Sequence, residues 1–342
     1  MAKLRIVFMG TGDIALPSLR SLLVPDDGAK SNSNSNSKSN PNPNPNSESA
    51  SYELVALVTQ PDKPVGRKQV LTAPAIKELA QAHGIPVMQP ESAREKSFLK
   101  ALKAMEPDVI VVMAYGQILS QALLDIASVA CINLHASLLP KYRGAACIQA
   151  AIDAGDSHTG ITVMHVAKAL DAGDIILKKE TPIGKHETGG ELHDRLAEIA
   201  PDALHEALSQ LAHGSAQREP QDPEKVSYIS KLMREHGEID WALTAEALER
   251  RIRAYEPWPG TSTAFVDNKG RQRRLKIFPQ VEVSEQGGKP GQVLSTDGLL
   301  CIACGQGSIV IESVQPDGSR RMSAADFLMG NALVVGDIVG SS

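Results

Sequence analysis

VACINLHASLLPKYRG, residues Val129 to Gly144, decides how the rest of the chain is read. It opens as an apolar strand, Val129-Ala130-Cys131-Ile132, and then presents Asn133, Leu134 and His135. Side chains alternate faces along a strand, so Asn133 and His135 share one face while Leu134 turns to the core. An amide and an imidazole at the carboxyl end of a strand make a polar pair aimed out of a sheet. Open α/β sheets hold their ligands there. Pro140 ends the strand pattern, so Ser137-Leu138-Leu139-Pro140 and Arg143-Gly144 read as the loop beyond it. The stretch has the make-up of a reaction centre.

Outward from it, strand and helix patterns alternate. Leu4–Met9, Glu53–Val58, Pro86–Met88 and the continuous apolar run Val109–Met113 read as buried strands. Leu16–Leu23, Ala73–His83, Ala93–Met105 and Leu119–Ile126 read as the helices between them. That alternation predicts an α/β fold with a doubly wound, mostly parallel sheet. Downstream come a helix at Ala146–Ala154, a strand at Thr159–Val166, a Gly/Asp turn at Leu170–Ile175 leading to Ile176-Leu177, and a helix at Gly190–Leu211. A polar, proline-containing stretch over 214–231 reads as a linker, dividing a catalytic domain (1–213) from a second domain (232–342). After a helix at Thr244–Tyr255, the second domain carries short β-prone runs: Thr263–Val266, Leu275–Phe278, Gln292–Leu294, Leu299–Ala303 and Ser308–Ser313. These predict a small barrel or sandwich. Pro25–Ser51, with its Ser/Asn and Pro/Asn repeats, has too little apolar content to pack and reads as a disordered surface insertion.

The 342 residues carry 35 Lys+Arg against 40 Asp+Glu, a net charge of −5, so a polyanionic partner would have to be met by local basic patches. No apolar run reaches the ~18–20 residues of a membrane span. The N-terminus enters a strand almost at once, which leaves no expected signal peptide, and four cysteines make no disulfide framework. A cytoplasmic protein is expected.

Three polar residues at strand ends suit attack on a carbonyl: Asn133, His135 and Asp171. The amide and imidazole can donate to an oxyanion, and the carboxylate can orient the imidazole or carry a proton through water. No G-x-S-x-G nucleophile turn occurs, which favours direct transfer to an external acceptor. Spacing alone leaves open that the three are unrelated polar residues. Gly10-x-Gly12-x-x-Ala15 matches the dinucleotide fingerprint, but the following strand ends in Thr59-Gln60 with no acidic residue for a ribose, so a plain glycine turn is the better reading. Metal sites find less support. His186-Glu187 lacks a second histidine, and Cys301 and Cys304 form one CxxC without a partner pair, so they read as core cysteines. Gln60 to Lys68 is a turn-rich loop with three cations, Lys63, Arg67 and Lys68.

NLHASLLPKYRGAACIQAAI, with LDAGDI downstream, resembles the signature of formyltransferases that use 10-formyltetrahydrofolate. VTQPDKPVGRK, KELAQAHGIPVMQPES, PDVIVVMAYGQILS, IRAYEPWPG and RRMSAADFL are similar, in order, to blocks of the branch acting on methionyl-tRNA. The resemblance implies a Rossmann-like first domain, an OB-like β-barrel that helps hold tRNA, and formylation of methionine on initiator tRNA for translation initiation. It implies Asn133, His135 and Asp171 as catalytic, Ser137, Leu138, Leu139 and Pro140 as folate-binding, and Lys63, Arg67 and Lys68 near the tRNA acceptor end. It implies no NAD, no metal and a monomer. Departures are the insertion, Cys147 and Gly12 where the family carries prolines, and a shorter basic loop. Rival readings are a formyltransferase for a small amine, an NAD-dependent oxidoreductase, and a non-catalytic RNA-binding module.

Overall fold

The computed structural model describes residues 3–23, 52–66, 68–330 and 333–340, so the insertion expected at Pro25–Ser51 and the candidate Arg67 lie outside the described residues. The described elements begin with β1 (Leu4–Gly10), α1 (Leu16–Leu23), β2 (Tyr52–Val58), β3 (Lys63–Val65), β4 (Val70–Thr72), α2 (Ala75–Ala82) and β5 (Val87–Met88). Then follow α3 (Lys96–Lys103), β6 (Val109–Met113), α4 (Gln121–Leu124), β7 (Ala130–His135), β8 (Arg143–Gly144) and α5 (Cys147–Ala154). Next are β9 (His158–His165), β10 (Ile175–Pro182), α6 (Gly189–Ala212), β11 (Tyr228–Ile229) and α7 (Ala245–Ala254). The chain continues with β12 (Thr261–Val266), β13 (Gln272–Ile277), β14 (Val281–Ser284), β15 (Val293–Ser295) and β16 (Leu300–Ala303). It ends with β17 (Ser308–Ile311), β18 (Ser313–Pro316), β19 (Met322–Ser323) and α8 (Ala324–Gly330). Two compact units result. One holds the described residues up to His135, Ile161–Lys179 and Leu196–Pro223; the other holds Ala136–Gly160, Glu180–Arg195 and the chain from Glu224 onward.

The first unit is organised on a seven-stranded sheet of order β10-β9-β7-β6-β1-β2-β5. From β7 to β5 every pairing is parallel, and β9 runs antiparallel to β7. All five residues of β6, VIVVM, are buried, as a strand covered on both faces requires. One sheet face gathers Val7, Met9, Ala56, Val58, Val112 and Cys131 under Phe98 and Leu102 of α3. Phe98 and Leu102 lie four apart and so share one helix face. Truncating Phe98 to Ala would cost about 3–5 kcal/mol. Along β7 that apolar face changes character: two residues past Cys131 it carries Asn133, then His135.

In the second unit two four-stranded sheets form, β12-β13-β18-β19 and β14-β17-β16-β15, and their pairings are antiparallel. Their core contains Trp241, then Leu248 and Ile252 from α7, and the Phe265–Phe327 pair, edge to face at 5.3 Å. Helix α5 packs on α7, where Arg251 meets Asp153 at 3.1 Å. Cys301 and Cys304 are both buried, Cys304 within this core.

Beyond β14, β19 and α8, which the sequence reading did not include, four stretches that it did read turn out differently. The Gln60–Lys68 loop contributes a hairpin, β3–β4, whose strand residues are all exposed, so no alternation of burial marks it. Beyond the Gly/Asp turn the chain forms the eight-residue strand β10 rather than a short apolar pair. Ser308–Ser313 divides at Glu312, where the chain leaves one sheet (β17) for the other (β18). The 214–231 stretch is hydrogen-bonded rather than slack. Glu219 exchanges two backbone hydrogen bonds with Ile175 in the first unit, and β11 pairs with β8 in the second. No helix among the described residues is long and apolar enough to cross a membrane.

Candidate active site

β7 and β9 set the row on which the site is built. Asn133 stands opposite Met164 and His135 opposite Thr162, and residues paired across strands project to the same face. His135 is only 7% exposed. Its Nδ1 lies 3.8 Å from Oδ2 of Asp171, which reaches it from the loop between β9 and β10. That separation exceeds a direct hydrogen bond. Catalytic contacts are often loose before substrate binds and tighten with it. The three residues singled out from the sequence are therefore neighbours within one unit: the strand presents two, and the loop brings the third.

The Asp171 loop is held at several points. The backbone of Asp171 is left-handed, with φ +48°. The N–H of His165 donates to the carbonyl of Asp174 at 2.9 Å. A Cβ on Gly173 would fall 1.7 Å from the carbonyl oxygen of His165, so only glycine fits. The Gln221 side-chain amide donates to the carbonyls of Asp171 (2.8 Å) and Gly173 (2.9 Å). His165 pairs with Ile132 and so faces away from the row; burial there pushes its pKa down, favouring the neutral imidazole.

The ends of β1, β2 and β6 are latched by polar groups. Thr11 Oγ1 lies 3.2 Å from Thr59 Oγ1, and Gln60 Nε2 donates to the carbonyl of Tyr115 at 2.8 Å. Gly10, in the G-x-G-x-x-A turn, packs where a Cβ would meet the Phe8 ring at 2.8 Å and the Met113 carbonyl at 3.0 Å. The first glycine thus serves close packing of strand on strand. At the base of the β3–β4 hairpin, Asp62 accepts from Gln89 (2.7 Å) and Lys77 (2.9 Å), which hold its carboxyl below the usual range. Lys63, bonded to Gln60, and Lys68 are exposed on this hairpin, as are Val65, Val70 and Leu71.

Ser137, Leu138, Leu139 and Pro140 belong to the second unit. Ser137 is fully buried and donates to the carbonyl of Lys141 at 2.7 Å, closing its own turn, while Leu139 is buried too. Leu138 is half-buried and lines a cavity of about 260 Å³ with Lys141, Tyr142, Asp156, His158 and Glu180. Lys141 and the Tyr142 hydroxyl both bond Asp156, at 2.9 Å each. Thr162, read only as part of a strand, and Gln221 were not singled out as site residues from the sequence. Strand pairing alone reveals the first. The second sits in a proline-flanked polar run with no periodic signal.

A formyl transferase family model matches residues 32–208, and the model of the formyl transferase C-terminal domain matches 231–332. The methionyl-tRNA formyltransferase of Akkermansia muciniphila is 50% identical over 96% of this chain and 97% of its own. The chain belongs to the methionyl-tRNA formyltransferase family. The family's enzyme from Citrifermentans bemidjiense is 41% identical over 99% of this chain and 98% of its own. The fold is shared with the sugar 3N-formyl transferase WlaRD, at TM-score 0.60 and 16% identity, over 94% of this chain and 100% of that one. As a member of this family the chain is a formyltransferase. Its two matched regions leave 209–230 between them, the stretch that contains Gln221.

Proposed function

We propose that this formyltransferase moves the formyl group of 10-formyltetrahydrofolate onto the α-amino group of methionine carried by initiator tRNA. The observation that carries the catalytic reading is the His135–Asp171 pair, 3.8 Å apart, on the row that also holds Asn133. The neutral amine attacks the formyl carbon, forming a C–N bond while the carbonyl oxygen becomes an oxyanion. Asn133 and His135 donate to that oxygen, each worth about 3 kcal/mol, or roughly a hundredfold in rate. Asp171 takes the proton from the attacking nitrogen through a water. The bond to the folate nitrogen then breaks and that nitrogen is protonated.

Support for folate as donor comes from family membership and from WlaRD, whose crystal structure is in the presence of dTDP and 5-N-formyl-THF. Leu138 and its neighbours Ser137, Leu139 and Pro140 form the folate-contacting loop in this reading, with Ser137 and Leu139 as its internal supports. Lys63, Arg67 and Lys68 meet the phosphates of the acceptor end, and residues 232–342, beyond the 214–231 connection, hold the tRNA body. The enzyme acts as a monomer in the cytoplasm, where charged initiator tRNA is used.

Transfer of labelled formyl from 10-formyltetrahydrofolate to Met-charged initiator and elongator tRNAs tests the whole. Label on the initiator alone is expected. No label on either, with folate bound, would assign the chemistry to another amine, and failure to bind folate would remove the reading altogether.

A further inference from the structure

We infer that Gln221 is a positioning residue for the transfer, holding the Asp171 carboxylate in place through the backbone of its loop; this rests on the proton-handling role proposed for Asp171. The loop has little packing of its own, since Ala167, Lys168, Ala169 and Leu170 are all exposed. Yet Asp171 holds a left-handed backbone, which aspartate visits more readily than most residues but which the exposed run before it does not fix. Gln221 ties it down. Its amide nitrogen spans Ala172, bonding the carbonyls of Asp171 and Gly173 on either side at 2.8 and 2.9 Å. Orienting those two peptide planes sets the direction of the Cα–Cβ bond of Asp171, and so the place of its carboxylate. The same nitrogen lies 3.8 Å from Sδ of Met164, the residue paired with Asn133, so the fork is referenced to the row it serves.

Gln221 is itself fixed. Pro220 and Pro223 restrict the backbone around it, and two residues earlier Glu219 is bonded in both directions to Ile175 at the start of β10. On the loop's other flank, Gly173 packs against the His165 carbonyl with no room for a side chain. A carboxylate that must reach a proton through one water tolerates little displacement, and an error near 1 Å can cost about a hundredfold.

The test uses the full-length enzyme and a double-mutant cycle. Gln221→Ala and Gln221→Met, the latter keeping volume but no donor, are expected to lower kcat by about 10–100-fold. KM for both substrates and the melting temperature should stay near wild type. On an Asp171→Asn background neither change should lower turnover further. Gln221→Met with wild-type kcat, or a full multiplicative loss on top of Asp171→Asn, would overturn the positioning role. Wild-type turnover of Asp171→Asn alone would overturn the role of Asp171 instead, so the two failures are distinguishable.

Discussion

The Asn133–His135–Asp171 group gathers at the carboxyl end of β7 and the β3–β4 hairpin follows that of β2, both parallel strands of the first unit, yet they are built in opposite ways. The row is largely buried, set by strand register, and its loop is tied down by backbone and amide hydrogen bonds. The hairpin exposes every residue of both strands, with Lys63 and Lys68 among the exposed residues, and at its base Lys77 and Gln89 both bond Asp62. The contrast matches the roles proposed for each. Stabilising charge that develops in a transition state requires fixed dipoles shielded from water. Meeting a polyanion requires accessible charges, whose individual contributions are weak and screened by salt.

The comparison can be broken most directly at its buried half. His135→Ala or Asn133→Ala should lower kcat by about 10²–10³-fold with melting unchanged. Either variant at wild-type turnover would mean that the row is not the reaction centre. Glycines sharpen the contrast next. Gly173→Ala forces a Cβ to within 1.7 Å of a backbone oxygen, and should lower both stability, by about 1–3 kcal/mol, and kcat. Gly66→Ala, in the hairpin turn at φ +71° with open space around it, should cost about 1 kcal/mol of local strain and leave kcat alone. Thermal melting with steady-state kinetics separates the two.

A smaller effect is expected from removing Lys63 and Lys68 together. KM for charged tRNA should rise about tenfold at low salt, and the slope of log affinity against log salt should fall by about 1 per lysine. An unchanged slope would take the hairpin out of tRNA contact. Least of all, Asp62→Asn should reveal the hairpin's anchor through pH. Because hydrogen bonds from Gln89 and Lys77 hold the folded carboxyl below the ordinary aspartate range, its stabilisation is present above that range and lost as pH falls through the lowered value. The melting gap between wild type and Asp62→Asn should therefore close as the solution is acidified from about pH 5.

Much of the site could be read before any coordinates. Asn133 and His135 share a face because strand side chains alternate, and Val109–Met113 declares a central strand by having no polar position. The hairpin could not be read this way, since β3 and β4 have no buried side on which a pattern could be written. Gln221 was invisible for a different reason: its partners are backbone carbonyls of Asp171 and Gly173, and backbone acceptors have no residue identity to match.

The sequence by itself determined the alternation of strand and helix, the polar end of β7 and the family, because each is written in local periodicity or in contiguous motifs. Only the tertiary structure decided that Asp171 lies beside His135, that the 214–231 stretch is pinned at Glu219 and β11, and that an amide in it grips the Asp171 loop. Those outcomes depend on which distant backbones lie side by side, above all on the antiparallel register of β9 against β7. Contacts between segments far apart in the chain leave no spacing along it from which to read them.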